Sequence, residues 1–472
     1  METKITSVVN NQGHQYKQWM VALIVNVTLF TYGLQSGWMS PTIELLRSTR
    51  NPEGYPFSES MISWIASGMF MASVASTLFY SYIADYFGRR PAMLVIVFTQ
   101  ALTWIIKLVS AHPISLLIAR LMSGVASGGI FNVIPIYIKE ISEDSIRGAL
   151  GSTIMIGQGV GYMVMYGLGA YLDYYTILYI VTGIPIASGV LYVFVPESPS
   201  YLVKKKKIEE ATRNIAYLRG LKETDKIVVE EIAKMQKEEE QYGNLPQISM
   251  KDIWRNPVWR RGVIIVVILM TLLDSTGTMA ISTYAASIVS VSSDGGSPGL
   301  KTLSFPAVMV LGSIISMSVI EKCGRKPLMV ISLILTGSSL AVLASVILIQ
   351  EQGGWVPGWL SIFAIIVALF SYGVGLLPVP YVVMAEIFNF QIRAKITGYN
   401  VTLGWFLCFL QIKTFGPISE SLGMYTMFFI FSGMCFFGAI VCFIILPETK
   451  GKSLEEIEAI LVKQKVKESE CQ

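Results

Sequence analysis

The 472-residue chain is 53% apolar and only 14% charged, against roughly 25% charged residues in an ordinary soluble domain. That deficit excludes a normal water-facing surface. It also shapes the reading of the +4 net charge, which fits Lys and Arg facing anionic lipid headgroups. Nucleic acid is a poor alternative partner, because the basic run at 204–207 abuts an apolar stretch and brings no aromatic stacking platform.

The first fifteen residues are polar, with no separate apolar core and small-residue cleavage site, so no cleavable signal peptide is expected and the first span should insert and stay. Apolar stretches that approach or exceed the roughly 20 residues needed to cross the hydrocarbon predict spans near 19–39, 61–83, 92–110, 114–138, 149–172, 176–195, 262–290, 302–320, 328–349, 359–384, 396–416 and 424–446. The predicted fold is an all-α membrane protein of twelve helices. With both termini cytoplasmic, 30 of the 36 Lys and Arg fall on the inner side, as the positive-inside rule demands. Arg47, Arg50 and Lys301 fall outside, and Lys107, Arg120 and Lys413 within spans. The five cysteines, Cys323, Cys408, Cys435, Cys442 and Cys471, avoid the outer loops, so no disulfide framework is expected.

The chain is written twice. "ADYFGRRP" at 84–91 returns as "EKCGRKP" at 321–327. Glu140 and Arg147 stand seven apart, as do Glu386 and Arg393, and "VPESP" at 195 returns as "LPETK" at 446. Three landmarks in one order at a nearly constant shift imply two like-oriented halves of six spans. The predicted organisation is an N-terminal tail (1–18), a six-helix bundle (19–195), a polar linker (196–261), a second bundle (262–446) and a C-terminal tail (447–472). In the linker, Ile208, Ala211, Ile215 and Leu218 share one helical face, continued by Ile232 and Met235. This favours short amphipathic helices under the bundles over a flexible connector. The tail repeats the pattern with Leu454, Ile457 and Leu461, and Ser453 with Glu456 forms a capping box.

Carboxylates and cations recur at matched spacing on the inner rim. Asp85 with Arg89 and Arg90, and Glu321 with Lys322, Arg325 and Lys326, sit in turns that Gly88 and Gly324 permit. Glu140, Arg147, Glu386 and Arg393 are placed to bridge to the other turns. Single exposed pairs contribute about 0 to 1 kcal/mol, but a network closed in one conformation and open in another can bias an equilibrium between two states. Orientation alone would explain the cations, though not the matched carboxylates.

These motifs carry a family resemblance. From about residue 19 to 460, "ADYFGRRP", "RLMSG", "IPIYIKEIS", "PESPSYL", "EKCGRKP", "VGLLPVP" and "LPETKGKSLEEIE" resemble the sugar porters of the major facilitator superfamily, and most the insect facilitated trehalose transporter-like branch. The resemblance implies alternating access, with two bundles rocking around a central site, the inner charges (Asp85, Arg89, Arg90, Glu140, Arg147, Glu321, Arg325, Glu386, Arg393) locking the outward-open state and the amphipathic segments bracing it. It implies facilitative movement of a sugar, trehalose or a hexose, by a plasma-membrane protein without covalent chemistry. The expected partners are a small solute and the bilayer, with monomeric function. No cofactor or metal is expected, since His14 and His112 are the only histidines and lie far apart.

Departures from the family pattern narrow the site. Span seven of sugar porters usually reads Gln-Gln-x-Ser-Gly-Ile-Asn; here Leu273, Asp274, Thr276, Gly277 and Met279 stand in that stretch. The span-five glutamine aligns with Met155, the span-ten tryptophan with Tyr381 and the span-eleven asparagine with Gly404, beside a retained Trp405. Those amides would hydrogen-bond sugar hydroxyls. Gln35 stands where proton-coupled relatives carry an acid, which favours uncoupled transport. Asp274 adds an intramembrane acid that costs roughly 2.5 to 3.5 kcal/mol on insertion scales unless it faces a cavity or a partner. Lys107, Lys413 and Arg120 are candidate partners, though Arg120 resembles the family's structural arginine; an acid simply wetted by the pathway is the alternative. Expected substrate-binding residues are Gln35, Gln158, Asp274, Thr276, Tyr284, Tyr381 and Trp405, Gln158 on chemistry alone. Two rivals remain open, a carrier of a cationic or other non-sugar solute and a non-transporting sugar sensor. A sensor would be expected to bear a long signalling tail, and only about 26 residues follow the last span.

Overall fold

A computed structural model of the chain describes residues 14–243, 248–292 and 301–470. Most of the predicted N-terminal tail (residues 1–13) and Cys471 lie outside the described residues. The described residues are helical with no strand. Eleven helices are long and apolar enough to cross a membrane, and a twelfth, α6 (Arg147–Tyr171), has the length at 25 residues but dilutes its hydropathy with glycine. At 1.5 Å per residue it covers the roughly 30 Å hydrocarbon.

The first six passages are α1 (Tyr16–Gly37), which continues into the short α2 (Met39–Arg47), then α3 (Glu59–Tyr86), α4 (Arg89–Val109), α5 (Pro113–Ile141), α6 and α7 (Tyr174–Leu191). Within this half α3 packs on α5, α1 on α6, and α4 on both α5 and α7. Close approach comes from small residues. A Cβ on Gly33 would meet the Gln158 carbonyl at 2.2 Å, and one on Gly124 the Met69 carbonyl at 2.0 Å. The outward faces carry Phe98, Tyr179 and Val190, each about two-thirds exposed, which suits lipid rather than water.

Four short helices follow: α8 (Pro199–Lys204), α9 (Ile208–Arg219), α10 (Lys226–Gly243) and α11 (Met250–Arg255). Ala211, Ile215, Val228 and Ile232 pack with Tyr201, Leu202 and Val203 in a separate apolar cluster, with Ile208 and Met235 at its edge. Leu218 instead joins the main core.

The second half begins with a broken passage. Where one uninterrupted span was expected at 262–290, the chain forms α12 (Pro257–Ser275), α13 (Thr278–Thr283) and α14 (Ala285–Ser292). The first break falls at Gly277, whose φ is +84° and whose Cβ, if present, would lie 2.4 Å from the Phe431 ring. Then come α15 (Ser304–Cys323), α16 (Arg325–Glu351), and α17 (Gly358–Ser371), which passes through a π-helical turn at Tyr372–Leu376 into α18 (Pro378–Ile387). Such a turn is one of the few local devices that bends a helix. The last elements are α19 (Phe390–Leu422), α20 (Met424–Ile445) and α21 (Leu454–Glu470). Ser453 and Glu456 exchange the reciprocal bonds of a capping box. Ile457 and Leu461 are buried, whereas Leu454, expected on their face, is exposed. The two halves meet along α3 with α19 and along α6 with α15.

Candidate functional site

At the end carrying the basic turns, each half builds the same ionic joint. Gly88 and Gly324 (φ +112° and +87°) start α4 and α16. Helix starts leave backbone N–H groups without intrahelical partners, and here a carboxylate from after the sixth and twelfth passages fills that need. Glu197 accepts from Arg89 N at 3.0 Å and also from Arg90 N, and Glu448 accepts from Arg325 N and Lys326 N at 3.0 and 3.1 Å. A Cβ at Gly88 would lie 2.3 Å from Glu197 Oε2, and one at Gly324 2.6 Å from Glu448 Oε2, so a side chain at either glycine would displace the carboxylate as well as strain φ. Arg89 then clamps Glu140 with two bonds of 3.0 Å, and Arg325 clamps Glu386 at 2.7 and 3.1 Å. Asp85 and Glu321 add contacts of 3.6 and 2.8 Å. Arg90 uses its side chain on the Val193 carbonyl.

Burial pushes the Glu197 carboxyl up despite its backbone bonds. Glu448 is less deeply set; burial raises it too, but bonds from Lys450, Arg325 and Lys326 N–H and the Arg325 charge outweigh this and hold it below the usual range.

These joints close within each half. Arg147, expected to reach another turn, pairs with Asp144 and the Ser142 carbonyl, and Arg393 donates to the Ala385 carbonyl at 3.4 Å. Each stays beside its own helix.

Among the described residues, hydrogen bonds between the halves cluster at the opposite end. Arg47 of α2 is held by Glu59 at 2.9 Å and reaches across to Ser287 of α14 at 3.2 Å, while Ser287 donates to Glu44. Ser40 accepts from Ala286 N at 3.1 Å, Ser63 donates to the Lys413 carbonyl at 2.7 Å, and Tyr166 donates to the Ser282 carbonyl. Tyr284 is sealed behind this gate, its ring 4.7 Å from that of Phe415 and its hydroxyl without a partner. Arg47 carried no signal in sequence beyond a positive charge on the wrong side.

Midway between the two ends, the break in the seventh passage faces α19. Gln411, unnoticed in sequence, spans it: its Nε2 donates to the Asp274 carbonyl at 3.0 Å and its Oε1 accepts from Ala280 N at 3.2 Å. One side chain thus satisfies a carbonyl before the break and an N–H after it. Thr276 is buried in the break and bonds the Leu273 carbonyl and Thr278 at 3.2 Å. The Asp274 carboxylate occupies the space that Gly404 leaves; a Cβ there would lie 2.7 Å from Oδ2. Its side-chain neighbour is Cys408 Sγ, 3.9 Å from Oδ1. Tyr381 is 43% exposed. Trp405, one residue beyond Gly404, crosses to the other half and packs on Phe70 and Phe131 at 6.0 and 5.6 Å, its indole N–H without a partner.

The three candidate cations do not pair with Asp274. Lys107 is buried between the rings of Trp38 and Trp104 at 4.0 and 4.2 Å, Arg120 donates to the carbonyls of Ile65, Ala66 and Gln35, and Lys413 lies over Trp64 at 4.1 Å. The structure therefore brings Asp274, Thr276, Tyr381 and Trp405 to one region. Gln35 is elsewhere, fully buried inside the first half with its amide toward the Gln100 carbonyl at 3.4 Å. Gln158 is half-buried on α6, packed through its carbonyl against Gly33.

Twelve membrane-length passages in two repeated halves, with a discontinuous helix at the seam between them, define a multi-pass membrane carrier of the major facilitator fold. The chain belongs to the sugar (and other) transporter family, whose sequence profile matches residues 21–461. It is 25% identical over 445 residues to the facilitated trehalose transporter Tret1 of Bombyx mori, covering 94% of this chain and 86% of that one. Against Tret1 of Apis mellifera ligustica it is 25% identical over 460 residues, covering 97% and 91%. Among solved structures, the inward open conformation of the xylose transporter XylE from E. coli superposes with a TM-score of 0.76 at 20% identity, over 94% of this chain and 99% of that one.

Proposed function

We propose that the protein is a facilitative sugar transporter, a uniporter of trehalose or a hexose, that works by alternating access in the plasma membrane with both termini in the cytosol. The observation that carries this reading is one-ended closure. Hydrogen bonds between the halves gather on one side of a midplane site, while the ionic joints on the other side stay within each half. If the basic end is cytosolic, as the distribution of Lys and Arg favours, this is an inward-facing state.

In the opposite state the gate around Ser287 parts and the inner rim closes. Arg147 and Arg393, free of the joints, are placed to reach the other half there, while Asp85, Arg89, Arg90, Glu140, Glu321, Arg325 and Glu386 keep each half rigid. The pathway contains Asp274, Thr276, Tyr381 and Trp405, with Tyr284 at its outer gate; Gln158 acts from the first half, while Gln35, fully buried inside that half, does not reach the solute. No bond is made or broken in the solute, and the monomer suffices, because each half supplies the other's wall.

Counterflow of labelled trehalose and glucose into proteoliposomes tests the reading. Exchange of either sugar, equal with and without a pH gradient, is expected. Absence of exchange for both, or exchange only with an imposed proton gradient, contradicts it.

A further inference from the structure

We propose that the midplane site selects a solute bearing a positive charge, with Asp274 as its anchor and an amine-bearing sugar as the class of ligand. The inference rests on the sugar-transporter reading and deepens it. An ionised carboxylate offers about four acceptor positions, yet the Asp274 side chain has one weak thiol neighbour at 3.9 Å.

The cations that could neutralise it are held elsewhere: Lys107 between two indoles, Arg120 by three carbonyls, Lys413 over Trp64. The acid is nonetheless accommodated. Gly404 leaves the space the carboxylate occupies; a Cβ there would lie 2.7 Å from Oδ2, so the acid would have to move. An acid with a shaped seat and no protein counter-charge points to a counter-charge that arrives with the ligand.

The walls fit the same ligand. Tyr381, on α18, is partly exposed, and its aromatic face suits a cation. The unpartnered Trp405 N–H, on a residue only 8% exposed, is a donor for a hydroxyl of the same solute.

Alternating access also requires the site to be closed over between its two open states. An ionised Asp274 enclosed with a neutral sugar must first take up a proton, because an uncompensated charge in a low-dielectric space is strongly unfavourable. An ammonium supplies three donors and the missing charge together.

The test uses the full chain in proteoliposomes and two probes that share a ring and differ at one carbon, glucosamine with an ammonium and glucose with a hydroxyl. Wild-type counterflow should favour glucosamine over glucose by at least tenfold in kcat/KM, with N-acetylglucosamine, its neutral counterpart, competing poorly. Asp274→Asn should bring glucosamine and glucose within about threefold of each other. Should that variant fail to reconstitute, the wild-type ratio and the N-acetylglucosamine competition decide alone. Glucose carried as well as glucosamine, or N-acetylglucosamine competing equally, overturns the proposal and leaves the sugar reading standing. Silence from glucosamine, glucose and trehalose alike overturns the sugar reading and the proposal with it.

Discussion

Replacing Ser287 by Ala should tip the carrier toward its other face. Ser287 is buried, and its hydroxyl makes two bonds across the seam, accepting from Arg47 at 3.2 Å and donating to Glu44. Hydrogen bonds to charged groups are worth about 1.5 to 3 kcal/mol each. Less applies here, about 1 kcal/mol each as for an ordinary hydrogen bond, because the Glu44 and Arg47 side chains are 48% and 31% exposed and recover water when the gate parts. A loss of about 2 kcal/mol for the pair moves the ratio of the two states roughly 30-fold. Arg47 keeps its bond to Glu59, so the variant should fold normally. Nitroxides at Val109 and Trp355, each 79% exposed at the gate end of its half, would report the separation by double electron–electron resonance in a background with Cys323 and Cys471 changed to Ser. The expected result is a new population at longer distance. An unchanged distance distribution would refute the assignment of Ser287 as a gate contact.

Three further outcomes follow from local geometry. Gly277→Ala should cost 3 kcal/mol or more, in the range of strain plus overpacking, because φ is +84° and Phe431 stands 2.4 Å from the new Cβ; thermal unfolding in detergent should show loss of folded protein. Gln411→Leu leaves the Asp274 carbonyl and Ala280 N–H without their partner, at about 1 to 3 kcal/mol for each buried group, and the melting temperature should fall without loss of membrane insertion. Glu448 has a folded pKa below its unfolded one, so its contribution is present at neutral pH and is lost as pH falls through the folded value. Glu197 is shifted upward and contributes a slope of opposite sign, so Glu448→Gln should flatten the acid-side fall in melting temperature and Glu197→Gln should steepen it.

The spans were legible because hydropathy is a local property, and the ionic joints partly so because the duplication placed Arg89 with Glu140 and Arg325 with Glu386 in parallel. Glu197 and Glu448 stood inside repeated motifs, but their task depends on helix starts more than a hundred residues away. The broken seventh passage was hidden by its composition, which is apolar on both sides of Gly277; the partner that makes the break tolerable, Gln411, lies on another helix. The gate at Arg47 was unreadable for a different reason: its contacts belong to one conformation, and a sequence encodes both. The question of which cation meets Asp274 had its answer in aromatic rings, Trp38, Trp104 and Trp64, that occupy two of the candidates.

The most direct test of two halves rocking about a midplane site is a tether across the gate. Ser40 and Ala286 sit on opposite halves with Oγ 3.1 Å from the backbone N. Sugar counterflow by the Ser40→Cys, Ala286→Cys protein should vanish when the two thiols are joined by oxidation and return on reduction. Undiminished counterflow through the joined protein would contradict the account.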